Sequence, residues 1–271
     1  YIQELLKDKS QSIDLTLVEN LFKIYRDATQ QTFQIPSMLT YTAKDDDTLV
    51  IMEAFKLENE NADEFLVELI KFYLKRLNTF NSSSNQNQST NILYLSSYKN
   101  ERGHNLLHYA CYYDFDRVVE LLLEYENENN EIPNELKLIN SITREEKQTP
   151  LHYACKKDSI KSVRLLVENG AEKEARDFMN RTPLYLAAEH GRQQTLKYLI
   201  KKGCILNIKS ESGQKAFYWI VAKCPDYALE LLDGFRSGDR YTKKYVYKLR
   251  MIEPEPGIIF FFFNFFFGLI F

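Results

Sequence analysis

QTPLHYACKKDSIKSVRLLVENGAEKEARD, residues 148–177, reads as one helix-turn-helix unit with its punctuation in place. Thr149 offers a hydroxyl to cap a first helix, and Pro150 stands at the first helical position, where its missing N–H costs nothing. Leu151, Ala154 and Cys155 follow at helical spacing. A polar turn at Lys156 to Ser159 leads into Ile160 to Val167, and Gly170 closes that second helix in the left-handed conformation. The pattern returns from Arg181 as TPLYLAAEHG, with Leu196, Leu199 and Ile200 on the second helix and Gly203 as its stop. Thr182 follows Thr149 by 33 residues.

A period of about 33 residues with a Thr-Pro-Leu-His-like signature resembles the ankyrin repeat. Its signature here comprises Leu107, His108, Thr149, Pro150, Leu151, His152, Thr182, Pro183 and Leu184, with Gly170 and Gly203 as helix stops. The resemblance implies an all-α solenoid of stacked helix-turn-helix units over residues 100–233. It also implies that His108 and His152 bond backbone groups of their own and adjacent turns.

Upstream, a first clear repeat begins at Asn100, with Gly103 in its turn, Leu107 to Cys111 as helix one and Val118 to Tyr125 as helix two. Asn105 and Leu106 replace Thr-Pro there, which predicts a weaker cap. The next cap comes 44 residues after Asn105, so the spacing predicts an insertion of 11 residues near 126–136, acidic and Asn-rich as an exposed loop should be. Residues 1–77 read as degenerate repeats: Tyr1 to Ser10 as a second helix, Ile13 to Tyr25 as weakly helical, Gln30 to Lys44 as a polar connection, and Leu49 to Phe55 with Asp63 to Leu77 as a helix pair. In that last helix Phe65, Leu66, Leu69, Ile70, Tyr73, Leu74 and Leu77 form one apolar stripe. Residues 78–99 are a polar linker, of low complexity from Asn78 to Asn91. The sequons at Asn81, Asn87 and Asn180 read as accidents of composition. The chain begins at Tyr1 without a leader-like segment and reads as a fragment.

Downstream, a fourth unit starts at Gly213, since Lys215 and Ala216 fall 33 residues after Thr182 and Pro183. Its helices, Phe217 to Lys223 and Pro225 to Leu232, have lost the signature, as terminal repeats do, and carry Trp219 in a position too small for it. From Lys243 to Ile252 the apolar residues alternate, which predicts a short β-strand after the last repeat, within a linker over 234–256. Gly257 to Phe271 is apolar but holds only 15 residues, short of the ~20 of a spanning helix. It reads as a non-native tail rather than the truncated start of a membrane segment, because a near-homopolymer of Phe specifies little structure.

Composition narrows the chemistry. With 271 residues and a net charge of −3, the chain can bury a sizeable core and has no electrostatic case for nucleic acid. Cys111, Cys155, Cys204 and Cys224 form no CxxC pair, which favours a reduced compartment and small apolar fillers over disulfides. No phosphate-binding glycine loop, dinucleotide fingerprint or nucleophile elbow is present, so neither an enzyme nor a cofactor is expected, and His108 and His152 read as structural rather than metal ligands.

What the repeats offer is surface. The ankyrin resemblance implies that hairpin tips and first-helix ends project onto a concave face that holds other proteins. By position this face takes Glu101, Arg102, His104, Tyr112 and Tyr113 from the first repeat, and Glu145, Glu146, Gln148, Lys156 and Lys157 from the second. Phe178, Met179, Arg181, Glu189 and His190 come from the third. Phe178 and Met179 are the sharpest signal, because two large apolar residues at an exposed tip suggest a contact. Cys224 to Asp233, the strand candidate and Glu253 to Gly257 together resemble the segment that joins the last repeats to the membrane domain in ankyrin-type transient receptor potential cation channels, pyrexia-like and painless-like. That resemblance implies a channel subunit's cytosolic region, at the cytoplasmic face of a membrane, with neighbouring subunits as partners in a homo-oligomer. The alternative is a soluble cytoplasmic adaptor.

Overall fold

In the computed structural model the described residues are 63, 64, 66–71, 74, 99–129, 132 and 137–234, with the backbone of 236–239 and 244–247. The expectations for 1–62, for the 78–91 linker with Asn81 and Asn87, and for the Phe-rich tail at 257–271 lie outside them. Eight helices form four hairpins: α1 (Leu106–Tyr113) with α2 (Asp116–Glu128), α3 (Pro150–Lys157) with α4 (Ile160–Glu168), α5 (Pro183–Glu189) with α6 (Gln193–Lys201), and α7 (Ala216–Lys223) with α8 (Pro225–Gly234). First helices stack in the order α1, α3, α5, α7, and second helices α2, α4, α6 stack in a layer behind them. This is the all-α repeat solenoid that the 33-residue period predicts.

Each first helix starts where the signature places it. Thr149 and His152 form a capping box ahead of Pro150, and the Thr182 hydroxyl accepts the Tyr185 N–H at 3.2 Å. Asn105, expected to be the weaker cap, makes a complete one instead: its side chain accepts the His108 N–H at 3.0 Å while its amide reaches Leu138 O at 3.4 Å and the Ser141 hydroxyl. Asn carries a second donor that Thr lacks, so one residue both caps α1 and ties down the segment returning from α2. Gly170 closes α4 at φ +87, letting the Ala171 N–H donate back to Leu166 O at 2.9 Å.

The core runs between the two layers. Leu107, Ala110 and Cys111 of α1, Leu151, Ala154 and Cys155 of α3, and Leu184, Ala187 and Ala188 of α5 are fully buried against one another and against Val119, Leu122, Val163, Leu166, Leu196 and Leu199. Each buried Leu or Val contributes about 1.5–3 kcal/mol. Leu66, Leu69, Ile70 and Leu74, on helical residues of 63–74, extend the same core upstream. Trp219 is accommodated by turning its indole N–H onto the Tyr185 hydroxyl at 2.7 Å, which joins α7 to α5.

The insertion is not wholly a loop. α2 runs on to Glu128, and Glu126, expected on an exposed segment, is buried with its carboxylate accepting the Leu138 N–H. Ile132 is buried as well, so the insertion folds back onto the core. Burial, the largest effect, raises the Glu126 pKa above the usual range against the lowering by backbone donors at Leu138 and Ile139. Beyond α8 the backbone forms an antiparallel hairpin, β1 (Arg236–Asp239) with β2 (Lys244–Tyr247), in which Arg236 faces Tyr247 and Asp239 faces Lys244. β2 falls inside the alternating stretch Lys243 to Ile252.

Candidate interaction face

The turn preceding each first helix forms a tip, and the tips are stitched to one another by backbone hydrogen bonds. The Arg144 N–H donates to Arg102 O at 2.8 Å, the Phe178 N–H to Glu146 O at 2.8 Å, and the Glu211 N–H to Met179 O at 2.9 Å. Four tips therefore lie in one row in fixed register, and side chains at equivalent positions line up along it.

Phe178 and Met179 sit in that row and are 63% and 41% exposed. What holds them there is Asp177, a residue the sequence reading did not single out. Its buried carboxylate accepts the Met179 N–H at 3.0 Å, the Arg181 N–H at 2.8 Å and Arg181 Nε at 2.9 Å, and takes the Gln148 amide at 3.3 Å. Four donors on one carboxylate fix the tip backbone, so the two apolar side chains have little choice but to point outward. The signal was present as an Asp opening the turn with Arg four residues on, a side-chain-to-backbone turn pattern.

Gln148, expected on the interaction face, is 1% exposed, so that expectation is corrected. It lies beside the tip in sequence, but its amide turns inward to Asp177. Glu101, Arg102, Glu145 and Glu146 are exposed on the first two tips. His104 is half-buried, with Nε2 2.9 Å from the Tyr153 hydroxyl, which in turn donates to Glu146 at 3.3 Å. Burial, partly offset by Glu146, lowers the His104 pKa. Arg181 pairs with Asp177 at 2.9 Å and with Glu189 at 3.2 Å. At the first-helix ends, Tyr112 and Tyr113 pack edge to face at 4.9 Å, Lys157 Nζ stands 4.1 Å over the Tyr112 ring, Lys156 is half-buried and His190 is exposed.

The signature histidines are consumed within the array. His108 accepts the Asn105 N–H on Nδ1 at 3.2 Å and donates from Nε2 to Gln148 O at 3.1 Å. His152 repeats this with the Thr149 N–H at 3.1 Å and Arg181 O at 3.1 Å. Each ring thus joins its own cap to the next tip as the neutral Nε2–H tautomer. Burial lowers their pKa values to about 3 and about 4. Neither ring keeps a lone pair for a metal, and among the described residues no three His, Cys, Asp or Glu converge to hold one. All four thiols are buried, and burial raises each pKa, Cys204 to about 12, which disfavours the reactive thiolate.

A family model for three copies of the ankyrin repeat matches residues 40–177, and a second, for a single ankyrin repeat, matches residues 179–211. The chain belongs to the ankyrin-repeat family. The first match begins well upstream of Asn100, and the second ends before the α7–α8 hairpin. No curated protein matches the chain. Among the described residues no helix is long and apolar enough to cross a membrane.

Proposed function

We propose that the chain is a protein-interaction scaffold that holds its partner on the face built from the hairpin tips and the first-helix ends. The exposure of Phe178 and Met179 on a tip whose backbone Asp177 fixes carries this reading, since exposed apolar anchors held in place gain the most from desolvation by a partner. Within it, the finer proposal is the cytosolic repeat region of a transient receptor potential-type cation channel subunit, at the cytoplasmic face of a membrane and assembled with neighbouring subunits. Its support is the sequence from Cys224 to Gly257, with the strand at Lys244–Tyr247. The alternative, a soluble cytoplasmic adaptor, has the same repeats and fits the family matches equally well.

The test compares proteins captured by the wild type with those captured by Phe178→Ala/Met179→Ala. Because both side chains are exposed, the double change should leave helical circular dichroism and the unfolding midpoint within about 0.5 kcal/mol of wild type. Partners retained equally by both forms, but lost when Lys244–Tyr247 is altered, would move the site from the tips to the post-repeat linker. A transcript encoding several hydrophobic segments after Gly257 would select the channel, and a stop or a polar tail would select the adaptor.

A further inference from the structure

The apolar pair is bracketed by carboxylates on both of its hydrogen-bonded sides. Glu146 is the backbone partner of Phe178, and Glu211 that of Met179. Backbones so joined run about 4.8 Å apart, so the two acidic positions lie at most about 13 Å from each other with Phe178 and Met179 between them. Glu145, Glu146 and Glu211 are exposed, and among the described residues none of them enters an ion pair.

The basic groups nearby do not cancel this pattern. Arg181 is neutralised by Asp177 and Glu189. Arg144 shares the second tip but leans the other way, its N–H bonded to Arg102 O and its Cγ against Gly103. Lys147 is exposed on that tip too, so the excess of negative charge is local to the positions next to the apolar pair. Behind the tips, Tyr112 already carries an ammonium over its ring and Tyr153 bonds Glu146, so carboxylate and aromatic surfaces lie side by side. Both surfaces take cations, and both repel or ignore anions.

We infer that the occupant is an extended segment of another protein that sets one large apolar side chain on Phe178 and Met179 and carries Lys or Arg within about two residues on each side. A strand advances about 3.3 Å per residue, so four residues cover the distance from Glu146 to Glu211. The inference rests on the proposed interaction function and names the chemistry of its partner.

The experiment pans a library of short random peptides against the full 271-residue chain, in parallel with Phe178→Ser/Met179→Ser and Glu145→Lys/Glu211→Lys, after equal helical circular dichroism is established. Enriched peptides should place Lys or Arg within two positions of Leu, Met, Phe or Trp. Their affinity should fall about tenfold or more in the Ser variant, and also on raising salt from about 50 to about 500 mM. The Lys variant should shift the selected peptides toward Asp and Glu. Apolar peptides without a basic bias, lost in the Ser variant, would overturn the charge chemistry and leave the interaction face standing. Peptides that bind the Ser variant as well as wild type, or no enrichment at all, would overturn both.

Discussion

Lowering the pH from 7 to 5 should destabilise the array through His108 and His152. Both rings are buried and neutral, with pKa values held at about 3 and about 4 chiefly by burial, against about 6.5 in the unfolded chain. Below pH 6.5 the unfolded chain therefore binds a proton at each site that the folded chain refuses. Stability is fully present above that pH and is lost progressively down to each folded value. At pH 5 each ring should have cost about 2 kcal/mol relative to pH 7, or about 4 kcal/mol for the two. His104 and His190, less buried but also lowered by burial, add a smaller slope of the same sign. Glu126 and Asp63, whose pKa values burial raises, protonate more readily when folded and so act in the opposite sense at the acid end. Comparison with His108→Asn/His152→Asn cancels these other groups. That variant should be less stable at pH 7 yet show a flatter decline, in urea unfolding followed by helical circular dichroism at pH 7, 6 and 5. A wild-type midpoint constant over this range, or a double variant with the wild-type slope, would refute the hydrogen-bonded neutral rings.

Leu151→Ala, at a position fully buried between α1 and α5, should cost about 2–5 kcal/mol, and Thr149→Ala about 1 kcal/mol as a lost cap. An unchanged unfolding midpoint for the first would mean that Leu151 lies outside the inter-repeat core. Asp177→Ala strands the donors of Met179, Arg181 and Gln148 and should cost about 3 kcal/mol while speeding amide exchange at Met179 and Arg181. Unaltered exchange at those two amides would show that the tip is held by something else.

The features legible in the sequence were those with a local cause. Thr149, Pro150, Thr182 and Pro183 mark helix starts, and Gly170 and Gly203 mark stops, because a cap or a positive φ is decided within a few residues. Errors arose where the partner was distant. Glu126 looked exposed because it is charged, yet Leu138, twelve residues on, supplies the N–H that makes its burial tolerable. Gln148 looked like a tip residue because it adjoins one, but Asp177, 29 residues away, draws it inward. Asn105 looked like a poor substitute for Thr because its second donor matters only once Leu138 and Ser141 are folded against it.

The same division decides where recognition can reside. Leu107, His108, Thr149, Pro150, Leu151, His152, Thr182, Pro183 and Leu184 are all buried, and the polar ones spend their hydrogen bonds on caps and neighbouring tips. They set spacing, and no partner reaches them. The second, third and fourth tips share one backbone register but present Glu145 and Glu146, then Phe178 and Met179, then Glu211 and Ser212. A partner laid along that row meets a fixed ladder of positions whose chemistry changes at every rung. Because these side chains carry little of the core, exchanging Phe178 and Met179 for the acidic pair of the preceding tip should keep the fold while removing the one apolar rung, so partner choice can change without a new scaffold.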